Sequence, residues 1–168
     1  MSMLIDPDMS EIVDGFVIES KELYQELTTI LEDYEDAPNQ LHLEKFGQVI
    51  DRVMGAAKSI EADKTGHLCE LGKTISYKAS QSTDKELLNI VIAVLFDTIE
   101  ILEKIIASIE ENRTENVAGF NFDQFSSRLR WLSKKFEDIK RSSVAIDPIH
   151  EQEEDQQSID ALLTSLGL

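Results

Sequence analysis

Apolar side chains recur at steps of three and four residues along five stretches of this 168-residue sequence. That spacing gathers them on one face of an α-helix, whereas a half-buried strand would alternate apolar and polar residues. No segment alternates for long enough to require a strand. The five stretches cover residues 10–35, 41–61, 67–80, 83 or 84–112 and 123–141. The sequence therefore predicts an all-α fold, an antiparallel five-helix bundle with mostly short connections.

Local signals indicate where these helices begin and end. Ser10 is a candidate N-cap of the first helix, which leaves residues 1–9 as a short tail, and Ile12 is expected on its buried face. Pro38 ends this helix, because proline cannot continue a helix and also restricts the residue before it. The Ser-Thr-Asp run at residues 82–84 is a candidate cap of the fourth helix.

The composition changes after residue 141, where the sequence becomes polar, acidic and proline-containing. Such a segment cannot bury enough apolar surface to hold a fold of its own. The final stretch, SIDALLTSLGL, regains a helical pattern. We therefore expect a helical bundle domain at residues 1–142, a flexible acidic linker at residues 143–157, and an amphipathic peptide at residues 158–168 that becomes ordered on a partner.

The charge balance limits the partners of the chain. Thirty-three acidic residues against sixteen basic residues give a formal charge of −17. This excess argues against nucleic acid and anionic membrane surfaces, and it favours a partner with a basic patch. Cys69 is the single cysteine, and the longest apolar run, residues 90–96, is far too short to span a bilayer. Since the N-terminus also lacks an apolar secretion signal, we expect a soluble, cytoplasmic protein.

The second stretch, residues 41–61, combines a buried stripe with an unusual polar face. Gly47 and Gly55 are expected to let another molecule approach the backbone of this helix. A carboxylate and a carboxamide, Glu44 and Gln48, lie one turn apart and can act together on one bound group. The expected polar face consists of Glu44, Gln48, Asp51, Gly55 and Lys58.

The terminal peptide SIDALLTSLGL carries the first resemblance to known proteins. It resembles the carboxyl-terminal receiver-binding tail of the CheZ phosphatase family, and its IDALL portion also resembles the amino-terminal receiver-binding segment of the flagellar switch protein FliM. The resemblance implies docking to a CheY-like receiver domain, and the alternative is a helix that closes the bundle. The implied receiver-binding residues are Ile159, Asp160, Leu162, Leu163 and Leu166.

The stretch EKFGQVIDR, residues 44–52, carries the second resemblance. It is similar to the active-site stretch of the CheZ family, which reads approximately D-x-x-x-Q followed by V-I-x-R. On this match Glu44 takes the place of the acidic residue and Gln48 that of the catalytic glutamine. The sequence departs from the pattern in having Glu rather than Asp at position 44, and in Lys45 and Phe46. The receiver-binding face would continue through Asp51, Gly55 and Lys58. Without the resemblance, an acidic residue and a glutamine at this spacing are ordinary on a helix surface.

This second resemblance implies hydrolysis of an acyl phosphate on an aspartate of the receiver. Such a reaction needs water placed in line with the phosphorus atom and little covalent help. The Gln48 oxygen can accept a hydrogen bond from the attacking water while its nitrogen donates to a phosphoryl oxygen, and Glu44 can pair with a receiver lysine. The divalent cation, Mg²⁺, would belong to the bound receiver, and no cofactor of the chain's own is expected.

The order of the five helices resembles histidine-phosphotransfer domains such as the amino-terminal domain of the CheA kinase. In that family the second helix carries the phosphorylated histidine in a motif similar to A-A-H-S-I-K-G. Residues 56–62 here read AAKSIEA, so Lys58 occupies the place of the histidine. Because an ammonium does not substitute for an imidazole, this resemblance implies a phosphotransfer scaffold without its nucleophile.

The histidines and the cysteine are interpreted as structural residues. His42, His67 and His150 have no Cys, Asp or Glu partners at metal-ligand spacing, so no metal site is expected. Cys69 is expected to be a small core residue rather than a nucleophile.

Together these patterns favour a chemotaxis response-regulator phosphatase of two-component signalling that acts on a phosphorylated CheY-like receiver through Gln48 and Glu44. The alternative is a non-catalytic pseudo-phosphotransfer adaptor that binds or sequesters such receivers or links them to a chemotaxis kinase complex. A third hypothesis is phosphotransfer through His67 or His42. The sequence does not determine which receiver is bound, whether two copies form a homodimer, or whether the activity is regulated.

Overall fold

A computed structural model of the chain describes residues 2–119 and 121–142, with side chains as far as Glu137. The described part contains five α-helices and no strand, which confirms the all-helical prediction. The helices are α1 (Ser10–Asp36), α2 (Gln40–Ser59), α3 (Asp63–Ser80), α4 (Lys85–Asn112) and α5 (Phe122–Ser142). The expected linker, residues 143–157, and terminal peptide, residues 158–168, lie outside the described residues. Among the described helices, none combines the length and the apolar character needed to cross a membrane.

The first helix begins without the expected side-chain cap. Ser10 is already helical, with φ −56° and ψ −45°, so the prediction that it caps α1 is wrong. Two short 3-10 helices precede it, at Met3–Ile5 and Pro7–Met9, and the Asp6 carboxylate accepts a backbone N–H inside the second one. Because this turn leads directly into α1, no further cap is needed. The buried side chain of Leu4 fixes the segment to the core.

The connection between α1 and α2 follows the proline signal. Ala37, the C-cap of α1, leaves the helical region with φ −145° and ψ 84°, as expected before Pro38. The Asn39 side chain then accepts a hydrogen bond from the Leu41 backbone N–H at 2.8 Å and caps α2. At its other end α2 finishes at Ser59, earlier than expected, with Ile60 as its C-cap, and the following Glu61 adopts a left-handed conformation with φ 60°.

The third helix begins at Asp63, before the expected start at residue 67. Ala62 precedes it and offers no side-chain cap. Instead, the Glu115 carboxylate, from the connection between α4 and α5, accepts from the backbone N–H of Lys64 at 3.0 Å and of Thr65 at 2.7 Å. It also accepts from the Thr65 hydroxyl at 2.7 Å. Glu115, which is distant in sequence, therefore acts as the N-cap of α3.

The core contains apolar side chains from all five helices, with α4 contributing a wide buried face as its sequence predicts. Its buried apolar residues are Leu87, Leu88, Ile90, Val91, Ile92, Val94, Leu95, Ile99, Leu102, Ile105, Ile106 and Ile109. α1 packs on α2 and α4, and α3 packs on α2, α4 and α5. The first four helices therefore contact one another in a ring, with α5 against α3. This arrangement leaves the polar face of α2 turned away from the core.

Candidate functional site

The polar face of α2 carries an exposed carboxylate and an exposed carboxamide. Glu44 and Gln48 are exposed, and neither makes a hydrogen bond or an ion pair within the described residues. Leu43, Phe46 and Ile50 are fully buried, which fixes the rotation of the helix and turns the two polar side chains outward. They leave the helix one turn apart, about 6 Å along its axis. Since Phe46 enters the core, this departure from the CheZ-like pattern does not obstruct the surface.

Asp51 lies on the edge of the polar face that borders α3. Its Oδ1 atom is 2.8 Å from the Lys73 ammonium nitrogen. This hydrogen bond is the main reason why the pKa of Lys73 is raised above its usual value. The pair joins α2 to α3 and leaves the Asp51 carboxylate already engaged within the chain.

Lys58, at the position that the sequence resemblance assigns to the phosphotransfer histidine, also lies against α3. Its Nζ atom is 3.4 Å from Glu70 Oε2. Its aliphatic stem covers Gly66, where an added Cβ would lie 3.2 Å from Lys58 Cγ. The position is thus occupied by a cation next to a carboxylate, whereas a phosphoacceptor needs a neutral nitrogen.

The two glycines of α2 have different surroundings. A Cβ at Gly55 would meet no atom within 4 Å, so this part of the polar face is open to an approaching molecule. A Cβ at Gly47 would lie 2.9 Å from both Ser76 Oγ and Tyr77 Cζ. The expectation that Gly47 leaves room for a partner is therefore wrong, because α3 fills that space.

The opposite edge of the polar face borders α1. Arg52 Nη2 lies 3.4 Å from Glu19 Oε1 and connects the two helices. Ile12 lies two turns before Glu19 on the same side of α1 and is 55% exposed. The expectation that Ile12 is buried is wrong: of the two neighbouring residues expected on the apolar face, only Val13 enters the core. A single exposed isoleucine is ordinary on a protein surface.

The histidines lie apart from this pair. The His67 ring is tilted against Phe122, with ring centroids 6.2 Å apart, where α3 meets α5. His42 is half-buried in the first turn of α2, and its backbone N–H donates to Asn39. His150 lies outside the described residues. Within residues 2–119 and 121–142, no group of three His, Cys, Asp or Glu side chains is arranged to hold a metal ion.

Cys69 is fully buried on the inner face of α3. Burial, together with the nearby Glu115 carboxylate, raises the pKa of its thiol. The side chain is therefore a neutral thiol at neutral pH, without the thiolate character of a nucleophile.

The remaining sequence-derived residues, those of the terminal peptide, are not placed relative to α2. Ile159, Asp160, Leu162, Leu163 and Leu166 all lie outside the described residues. Comparisons with protein-family models, with curated proteins and with solved structures give no match for this chain. The side chains on α2 and the two sequence motifs are therefore the basis for a functional assignment.

Proposed function

We propose that this chain is a chemotaxis response-regulator phosphatase. It binds a phosphorylated CheY-like receiver and hydrolyses the aspartyl phosphate, with Gln48 positioning the attacking water. The observation that carries the proposal is the exposed pair of Glu44 and Gln48, without partners among the described residues, in a stretch that resembles the CheZ active site. An amide that reaches into solvent from a rigid helix is available to a guest active site.

The proposed reaction needs only positioning by this chain. Water attacks the phosphorus atom, the bond between phosphorus and the aspartyl oxygen breaks, and inorganic phosphate and a free carboxylate result. The Gln48 oxygen accepts a hydrogen bond from the water, and its nitrogen donates to an equatorial phosphoryl oxygen. Glu44 pairs with a lysine of the receiver and fixes the docked register. Mg²⁺ would belong to the receiver and would supply charge neutralisation at the phosphoryl group there.

We further infer an antiparallel bundle similar to a histidine-phosphotransfer domain. Contacts between α2 and α3 support opposite directions, since Gly47 lies beside Ser76 whereas Lys58 lies beside Glu70. Two ion pairs indicate that α1 and α4 also run in opposite directions: Asp14 pairs with Arg113, just after α4, and Lys21 pairs with Glu110, earlier in the chain. On such a scaffold the outward face of the second helix meets the receiver. The reacting side chain would then be Gln48 rather than a histidine at position 58.

The terminal peptide is proposed to hold the receiver while α2 acts on it. Residues 158–168 would bind through Ile159, Leu162, Leu163 and Leu166, with Asp160 near the start of the helix. A flexible tether would raise the local concentration of the receiver at the polar face of α2 to the order of millimolar. Weak docking at Asp51, Gly55 and Lys58 is then sufficient.

The test is phosphate release from a phosphorylated CheY-like receiver by the wild-type chain and by Gln48→Ala. We expect release to fall by roughly 10- to 100-fold, because the variant removes both hydrogen bonds of the amide. Gln25→Ala is the matched control, since Gln25 is an exposed glutamine of α1. Receiver binding, measured by fluorescence anisotropy, should be the same in all three proteins. Full release by Gln48→Ala would exclude the proposed mechanism.

The alternative is a non-catalytic pseudo-phosphotransfer adaptor that uses the same face to bind or sequester receivers or to link them to a kinase complex. It is favoured by the pairing of Lys58 with Glu70 at the phosphoacceptor position. An adaptor keeps its full function in Gln48→Ala and releases no phosphate above the receiver's own rate. Phosphotransfer through His67 or His42 is tested separately, by incubation with a phosphorylated kinase followed by acid-lability analysis of the chain.

A further inference from the structure

The outer face of α5 is basic, in contrast to the acidic chain around it. Arg130 and Lys134 are exposed one turn apart, and Trp131 and Lys135 form the adjacent row. The Lys135 ammonium lies 5.5 Å from the centre of the Trp131 ring, close enough for a cation–π contact. We call Arg130, Trp131, Lys134 and Lys135 the α5 basic face.

The cations of this face have no ion-pair partner within the part of the chain that the structure describes. The contrast with the rest of the molecule is sharp, because most basic side chains before α5 are paired with carboxylates. The paired ones are Lys21, Arg52, Lys58, Lys73, Lys78, Lys104 and Arg113. In a chain with twice as many acids as bases, three clustered cations without an ion-pair partner among the described residues indicate a surface with an anionic occupant.

The chain itself supplies a matching segment directly after α5. Residues 143–160 contain six carboxylates and no lysine or arginine, and four of these carboxylates fall within residues 151–155. A run of negative charge thus follows a helix whose outer face is positive. Each exposed ion pair is weak, but several together, on a segment joined to the surface, form a measurable contact.

The distances allow the segment to fold back onto the helix. Trp131 lies eleven residues before the end of α5 at Ser142, which corresponds to about 16 Å along the helix axis. Residue 151 follows Ser142 by nine residues, and an extended chain of that length reaches about 30 Å. The covalent link also gives the segment an effective concentration on the order of millimolar at the helix.

We propose that residues 151–155 dock on the α5 basic face of their own chain. The carboxylates pair with Arg130, Lys134 and Lys135, and the segment covers the exposed side of Trp131. The contact is reversible and salt-sensitive. This inference does not depend on the proposed phosphatase activity, and its test needs no receiver.

Trp131 is the single tryptophan of the chain and reports directly on the contact. The measurement is quenching of its fluorescence by acrylamide, a neutral molecule whose access is not biased by charge. The test variant of the full chain carries Glu151→Gln, Glu153→Gln, Glu154→Gln and Asp155→Asn. The control removes four exposed carboxylates at the end of α1, with Glu32→Gln, Asp33→Asn, Glu35→Gln and Asp36→Asn. Both variants change the net charge by the same amount.

We expect the quenching constant to rise roughly twofold in the test variant and to stay at the wild-type value in the control. In 1 M salt, where the screening length is about 3 Å, the wild-type chain should reach the value of the test variant. Equal quenching of wild type and test variant would show that the segment does not cover Trp131. An equal rise of the quenching constant in the control would show that the effect comes from net charge alone, which also overturns the proposal.

A charge exchange distinguishes this contact from other occupants of the face. Reversing Arg130→Glu and Lys134→Glu should expose Trp131, and adding Glu151→Lys and Glu153→Lys should restore its protection. Failure of the second pair to restore protection overturns the proposal. Protection of Trp131 that depends on protein concentration would assign the contact to a second copy of the chain and would overturn the proposal. Protection that appears only when an acidic protein is added would overturn it as well. Circular dichroism confirms that each variant retains its helices.

Discussion

Gly47 and Gly55 lie two turns apart on α2 and have opposite roles. The first allows α3 to approach the helix, with Ser76 and Tyr77 in the space that a side chain would need. The second has no neighbour within 4 Å of an added Cβ. The close approach at Gly47 fixes α2 against α3, whereas the open backbone at Gly55 belongs to the proposed docking face.

Substituting alanine at the two glycines should therefore change the free energy of unfolding in opposite directions. Gly47→Ala should lower the free energy of unfolding by about 1–3 kcal/mol, because the methyl group overpacks the α2–α3 contact. Gly55→Ala should raise it by about 0.5–1 kcal/mol, because alanine restricts the unfolded chain and favours a helix. Urea denaturation followed by circular dichroism measures both. The same sign for both substitutions would contradict the packing described for Gly47.

Buried acids predict how stability depends on pH. Burial raises the pKa of Tyr24 and of Cys69, so the folded chain keeps protons that the unfolded chain releases near 10.0 and 9.0. The stabilising contribution of these groups is complete below pH 9 and is lost as the pH rises. Each group should lower the free energy of unfolding by up to about 1.4 kcal/mol per pH unit above its unfolded pKa.

Cys69→Ala isolates the thiol's part of this dependence. The variant should lose about 1–2 kcal/mol at neutral pH through poorer packing, yet show a shallower decline of stability above pH 9. Urea titrations at a series of pH values up to about 10.5 measure the two slopes. Identical slopes for wild type and variant would show that the thiol does not remain protonated in the folded chain.

At the scale of the helices, α3 depends on a carboxylate from outside itself. Glu115 accepts three hydrogen bonds from the first turn of α3, from two backbone N–H groups and one hydroxyl. α3 in turn holds Asp51 and Lys58 of α2 through Lys73 and Glu70. The connection between α4 and α5 therefore supports the helix on which one edge of the candidate site rests.

Glu115→Ala should lower the free energy of unfolding by about 1–2 kcal/mol, since it leaves the N-terminus of α3 without a cap. Hydrogen exchange of the Lys64 and Thr65 amides should become faster than in wild type. Glu111→Ala, an exposed acid in the last turn of α4, is the control and should leave these amides unchanged. Unaltered exchange in Glu115→Ala would show that the carboxylate does not cap the helix.

The sequence was sufficient to predict the helices, but not their capping residues or the side chains that pack against them. Three- and four-residue periodicity identified all five helices, because the apolar faces are long and continuous. The start of α3 could not be predicted, since its cap, Glu115, lies 50 residues from Thr65 in the chain. Ile12 was misplaced for a related reason: the periodic pattern put both Ile12 and Val13 on the apolar face, and only tertiary packing shows that Val13 alone enters the core.

The same division applies to the candidate site. The outward direction of Glu44 and Gln48 follows from the buried stripe of α2 and is readable in the sequence. The engagement of Asp51 and Lys58 is not, because both partners lie on α3. Sequence periodicity determines which face of a helix is polar, but it does not determine which polar groups on that face have partners.

For the whole molecule, the proposed tether predicts a specific kinetic effect. Deleting residues 158–168 should slow phosphate release at low receiver concentration and leave the rate at saturation unchanged, because only capture is lost. The expected change is an increase of roughly 10- to 100-fold in KM, the range by which tethering enhances weak binding. Phosphate release measured across receiver concentrations gives KM and kcat separately. An unchanged KM would exclude a role of the peptide in capture.

We propose that the amide of Gln48 positions the water that hydrolyses the aspartyl phosphate. The most direct test of this proposal is single-turnover dephosphorylation of a CheY-like receiver, with the chain in saturating excess so that differences in binding do not contribute. The account predicts that Gln48→Ala falls at least roughly tenfold below wild type while Gln25→Ala does not. Equal single-turnover rates for wild type and Gln48→Ala would contradict it.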